Sequence, residues 1–133
     1  MTSLQLHADV LAPPAVVYKT WLDPIQQGAI TESIAAIDPR LEGEVRLWGG
    51  AVTGRILSLD PPKEIVQTWR TVDFPKLGPS SKLRLQFRAH KNGTRLVVSH
   101  EDIPPLMLDQ FRFAWEEFYF PRLQIHFIRS LRN

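Results

Sequence analysis

Two periodicities divide the chain. Between Glu44 and Glu101 apolar and polar residues tend to alternate, whereas between Met107 and Leu131 apolar residues recur every three or four positions. The first spacing is that of strands with one dry face, and the second that of a helix with a dry stripe. The alternation is cleanest over Lys82–Ala89, where Leu83, Leu85 and Phe87 oppose Lys82, Arg84, Gln86 and Arg88. Glu64–Thr71 places Ile65, Gln67 and Trp69 on one face and Val66, Thr68 and Arg70 on the other. Asn92-Gly93 is a strong hairpin signal, with Thr94–Glu101 as the returning strand, and Gly49-Gly50 turns Glu44–Trp48 into Ala51–Leu59.

Ahead of this block, Ser3–Leu11 alternates weakly through Leu4, Leu6, Ala8 and Val10 and predicts a first strand. Pro13-Pro14 suits the first turn of a helix over Ala15–Leu22, and Asp23-Pro24 caps a second short helix reaching about Ile30. Thr31–Glu42 reads as irregular. The terminal segment lacks glycine, and its single proline, Pro121, is expected to cost one hydrogen bond and bend the helix. Leu108, Phe111, Trp115, Tyr119 and Leu123 form one apolar line, and Phe113, Phe120 and Phe127 a second.

The order β-α-α-β-β-β-β-β-α defines an α+β fold. A six-stranded antiparallel sheet with one polar face must cover the other. Only the terminal helix, about 37 Å long at 1.5 Å per residue, can do so. The sheet therefore curves around that helix, and a gap between them is the natural place for a small ligand.

Composition adds mainly exclusions. At 133 residues the chain predicts one domain over 1–133 with one core, because a chain of this size hides roughly 68% of its unfolded surface. No cysteine is present, which removes disulfides, thiolate chemistry and cysteine-held zinc. The N-terminus has no apolar run of signal-peptide type, and no stretch approaches the ~20 apolar residues of a membrane helix. A cytoplasmic location is expected, with no membrane partner. A net charge of +2, with Arg122, Arg129 and Arg132 near the end, falls short of a nucleic-acid footprint.

Particular residues then look familiar. Ile37-Asp38-Pro39-Arg40, Leu47-Trp48-Gly49-Gly50, Val52-Thr53-Gly54, Ile65–Arg70, Asp73-Phe74-Pro75 and Trp115–Phe120 occur in order, after Ala12-Pro13-Pro14 and Trp21–Pro24. The set resembles the homologues of the activator of heat-shock protein 90 ATPase, of the C-terminal-domain type, within the START-like (SRPBCC) superfamily. The resemblance implies a helix-grip fold. It also implies one of three roles borne on that scaffold: ligand binding, co-chaperone work or polyketide cyclisation.

Candidate chemistry is sparse. His7, His90, His100 and His126 are scattered without metal-ligand spacing, so neither a metal nor a cofactor is expected. Gly49, Gly50 and Gly54 lack the Lys-Ser/Thr of a phosphate loop and sit between strands. Glu116 and Glu117 diverge by about 100° on a helix and cannot act as a pair, while Arg112 lies within ion-pair reach of Glu116. No catalytic residue is assigned. The first functional expectation is a non-enzymatic domain, in a stress response, holding an apolar small molecule. Trp69, Leu85, Phe87, Val98, Phe111, Trp115 and Tyr119 would line its cavity, with His100, Arg112 and Glu116 as polar groups. The second is an interaction module for a heat-shock protein 90 type ATPase. The third is a cyclase-like enzyme using Glu116 or His100. The oligomeric state is read as monomer or homodimer.

Overall fold

The computed structural model describes residues 2–131, so Arg132 lies outside them. Seven strands form one antiparallel sheet in the order β1-β7-β6-β5-β4-β3-β2. They are β1 (Thr2–Val10), β2 (Ala36–Ile37), β3 (Glu44–Leu47), β4 (Val52–Asp60), β5 (Glu64–Thr71), β6 (Ser81–His90) and β7 (Gly93–Ile103). The helices α1 (Pro14–Trp21) and α2 (Pro24–Thr31) follow β1. The terminal helix comprises α3 (Leu108–Phe113), a π-helical segment (Ala114–Tyr119) and α4 (Phe120–Ser130).

The sheet has one strand more than the six expected. Residues 36–37 lie in the segment read as irregular, yet Ala36 pairs with Arg46 and Ile37 with Val45. Two residues are too few to display a period, so only the neighbouring strand reveals them. The hairpin register follows the alternation: Leu83, Leu85 and Phe87 of β6 stand opposite His100, Val98 and Leu96 of β7, and all six are buried. A flat sheet would hold β1 and β3 about 24 Å apart, five spacings of ~4.8 Å. Leu6 of β1 and Leu47 of β3 nevertheless share one core with Phe111, Trp115 and Leu123 of the terminal helix, so the sheet curls around that helix.

Local chemistry explains the helix starts. Asp23 accepts the amide protons of Ile25 at 2.9 Å and Gln26 at 3.4 Å, capping α2 as its sequence position suggests. Pro121 stands inside the continuous terminal helix, at the junction of the π segment and α4, where its missing N–H removes one intrahelical bond. The π turn directly before it has a larger effect. In a pure α-helix each step of four residues drifts about 40°, so Phe111 and Phe127 would lie about 160° apart. The wider winding of Ala114–Tyr119 takes up part of that drift. Phe111, Trp115, Tyr119, Leu123 and Phe127 consequently all face the core. The second line divides: Phe120 and Phe127 are buried, while Phe113 is 64% exposed.

Close approach shapes the sheet at Gly54, as it does at Gly93 beside Val10. A Cβ on Gly54 would stand 2.0 Å from the Thr68 carbonyl oxygen, so β4 can lie against β5 there only without a side chain. The Arg55 amide bonds the Thr68 hydroxyl at 2.9 Å instead of a ladder carbonyl.

Candidate functional site

Sheet and helix meet over an aromatic interior. Trp69, Leu85, Phe87, Val98, Phe111, Trp115 and Tyr119 are all buried, but they do not share one lining. Phe87 packs edge-on against Tyr18 of α1, with ring centroids 5.3 Å apart. Trp69, Phe111, Trp115 and Tyr119 instead border a pocket of about 170 Å³ near the β3–β4 turn. Trp48, Val52, Thr71, Gln110, Ala114 and Phe118 complete its wall, which carries no charged side chain.

Trp48 and Phe118 are the notable additions. The strand pattern ends on Trp48, but this residue turns at φ 50° and enters the pocket wall with Gly49 at φ 64° and Gly50 at φ 99° behind it. Its ring lies 6.5 Å from Trp69, 6.2 Å from Phe118 and 6.2 Å from Tyr119. The Trp-Gly-Gly sequence signals a turn, but not that the tryptophan itself occupies the left-handed region. Phe118 belongs to neither apolar line, although it follows Phe111 by seven residues, about 20° away in regular helical phase, and the π winding leaves it at the edge of the wall.

His100 is inward, as its shared parity with Leu96 and Val98 implies, and wholly buried. The Ser81 hydroxyl donates to the Trp69 carbonyl at 2.6 Å, so His100 Nε2, 2.8 Å away, donates to Ser81 Oγ. His100 Nδ1 then accepts from Trp115 Nε1 at 3.3 Å. Burial pushes the imidazole pKa down to about 3, so the ring stays neutral. A serine whose proton is committed to a carbonyl is no nucleophile, and the pair is a satisfied core network.

The other two polar candidates face elsewhere. Arg112 and Glu116 are exposed, because placing Trp115 inward turns its neighbours out, and no ion pair links them among the described contacts. The polar lining of the interior comes from residues outside the candidate set. Tyr119 OH donates to Gln27 Oε1 at 2.8 Å, and Gln27 Nε2 donates to the Trp21 carbonyl at 3.0 Å. Trp21 Nε1 donates to Gln67 Oε1 at 2.9 Å. Burial raises the Tyr119 pKa, partly offset by the bond to Gln27. Gln67 was legible as a polar residue on the apolar face of β5. Among the described residues no group of three His, Asp or Glu side chains could hold a metal ion.

A curved antiparallel sheet gripping a long terminal helix defines the START-like, helix-grip class. Residues 11–127 match the family model of the Activator of Hsp90 ATPase homolog 1-like protein, and the chain belongs to that family. The Hsp90 co-chaperone AHA1 of Saccharomyces cerevisiae is 28% identical over 133 residues, covering 95% of this chain and 37% of the yeast protein. An uncharacterised protein of Schizosaccharomyces pombe is 29% identical over 122 residues, covering 92% of this chain and 34% of its own length. The chain thus spans about a third of the curated relatives it matches. The crystal structure of an HSP90 activator from Plasmodium falciparum superposes with a TM-score of 0.86 at 21% identity, over 94% of this chain and 95% of that one. The solution structure of the Aha1 dimer from Colwellia psychrerythraea gives a TM-score of 0.77 at 14% identity, over 95% and 98% of the two chains. Both establish likeness of fold.

Proposed function

We propose that this domain is an interaction module for a chaperone ATPase of the 90 kDa heat-shock class. The observation that carries this reading is a filled interior. The space between sheet and helix is occupied by the domain's own aromatic side chains, and the remaining pocket of about 170 Å³ is small. Pockets that enclose a drug-sized molecule measure roughly 300–1,000 Å³. Function then moves from the interior to the surface, and the likeness to the yeast Hsp90 co-chaperone and the Plasmodium HSP90 activator indicates the kind of partner. The test is direct: the purified domain should co-purify with such a chaperone and raise its rate of ATP hydrolysis. Failure of both would end this reading.

A second reading keeps the domain as a carrier of a small apolar molecule, favoured by the uncharged aromatic wall around Trp69, Phe111, Trp115 and Tyr119. Native mass spectrometry of protein purified without denaturation should then show an adduct of one small molecule per chain. A cyclase role has no support in the side-chain geometry, with His100 sealed in the core and Glu116 on the outer face.

A further inference from the structure

Three features that packing alone does not call for converge on the mouth of the aromatic pocket. Trp48 holds a left-handed backbone conformation, which is strained for a bulky residue and tends to persist at functional sites. The π turn supplies Ala114, Trp115, Phe118 and Tyr119 to the wall, and such turns also concentrate at functional sites. Between them lies an apolar pocket of about 170 Å³ that opens to solvent.

The size and surroundings of the pocket define its occupant. An apolar cavity of about 150 Å³ accepts one benzene ring. Apolar surface continues outward from the wall through Phe118, 37% exposed, and through Val72, next to the lining Thr71. Carboxylates stand beside the mouth. Asp73 accepts a hydrogen bond from the lining Gln110 at 3.4 Å, and Glu117 borders the neighbouring groove together with Phe118. Arg122 stacks over the Phe118 ring at 4.3 Å and is already paired with Glu32 at 3.4 Å.

We infer that this pocket receives a single aromatic side chain of the bound chaperone, presented on a surface that carries basic residues beside it. An aromatic anchor in a desolvated pocket, ringed by weaker polar contacts, is the usual form of an interface hot spot. Asp73 and Glu117 supply the charge that complements a basic rim. The inference rests on the chaperone-binding reading above and adds where on the domain the contact is made.

The four tryptophan indole N–H signals in a nitrogen-15 spectrum test it. Trp48, Trp69 and Trp115 line the pocket, whereas Trp21 does not and serves as the reference. Adding the full-length chaperone should shift the first three most. Ala114→Trp plugs the mouth and should weaken chaperone binding by about tenfold or more, the loss of one anchor. Ala114→Leu, a smaller plug that the exposed position accepts more readily, should weaken it in the same direction. Asp73→Asn combined with Glu117→Gln should weaken binding severalfold and reduce its dependence on salt. Unchanged affinity in folded Ala114 variants would overturn the pocket as the contact while leaving chaperone binding intact. If the wild-type domain does not bind the chaperone, both readings fall. Shifts of Trp48 and Trp69 on adding free indole, without any response to the chaperone, would make a free aromatic molecule the occupant and overturn the docking claim. Shifts that depend only on the concentration of the domain itself would assign the pocket to a second copy of this chain, with the same consequence.

Discussion

The two ends of the core beneath the terminal helix are finished in opposite ways. At the α2 end, Gln27 and Gln67 close hydrogen bonds with Tyr119 and Trp21, and Phe127 and Leu123 of α4 are buried. At the β3–β4 end, Trp48 is held at positive φ, Phe118 is partly exposed and a pocket remains. One end is dense and satisfied, while the other is strained and open. Stability is therefore concentrated at the first end, and the second is free to serve recognition. Proteins commonly divide their interior in this way, because a site that must accept something cannot also be optimally packed.

Substitutions can break this comparison. The largest effect is expected at Trp115, which spans both regions: it stacks on Trp21, contacts Trp69 at 5.4 Å and donates to His100. Trp115→Ala should lower unfolding free energy in urea by about 3–5 kcal/mol. Next, Gln27→Leu strands the Tyr119 hydroxyl in the dense end and should cost about 1–3 kcal/mol by the same measurement. A loss no larger than that from a surface substitution would show that this end is not sealed.

Acid should act on the boundary between the two. The folded pKa of His100, about 3, lies below its ordinary value of 6.5, so on acidification the unfolded chain takes up a proton that the folded chain refuses. The contribution to stability is complete above pH 6.5 and declines as pH falls towards 3. At about 1.4 kcal/mol per unit, pH 5 should cost about 2 kcal/mol relative to pH 7.5. His100→Gln keeps a donor and an acceptor without a titrating ring, so urea melts of this variant should lose most of that slope. Burial also lowers the pKa of His126, which adds a smaller contribution of the same sign. The smallest stability effect is expected at the open end, where Phe118→Ala should cost no more than about 1 kcal/mol in urea yet weaken chaperone binding. A large loss of stability there would mean that Phe118 is core and that the comparison fails.

The alternation over Lys82–Ala89 and Thr94–Glu101 was enough to predict the β6–β7 hairpin, its inward residues and the burial of His100. The Asp23-Pro24 pair was enough for the start of α2. Each of these signals is local, carried by side-chain parity or by a cap within one turn. The short β2 strand was not legible, since two residues owe their conformation to pairing with β3. Trp48 was not legible because its place in the wall depends on a left-handed backbone outside any regular period, whereas Phe118, seven residues after Phe111, carries a signal in the helical spacing itself.

Element types, the dry faces of the strands and the need for the sheet to wrap a terminal helix are written in the chain's periodicity, because solvent avoidance acts residue by residue. How the interior is filled is a matter of tertiary packing. The π turn before Pro121 keeps Tyr119, Leu123 and Phe127 on the core side and leaves Phe118 at the edge of the wall, and the left-handed Trp48 borders the pocket of about 170 Å³. Those outcomes follow from packing between segments far apart in the chain, where a shift of one residue in helical phase exchanges core for surface.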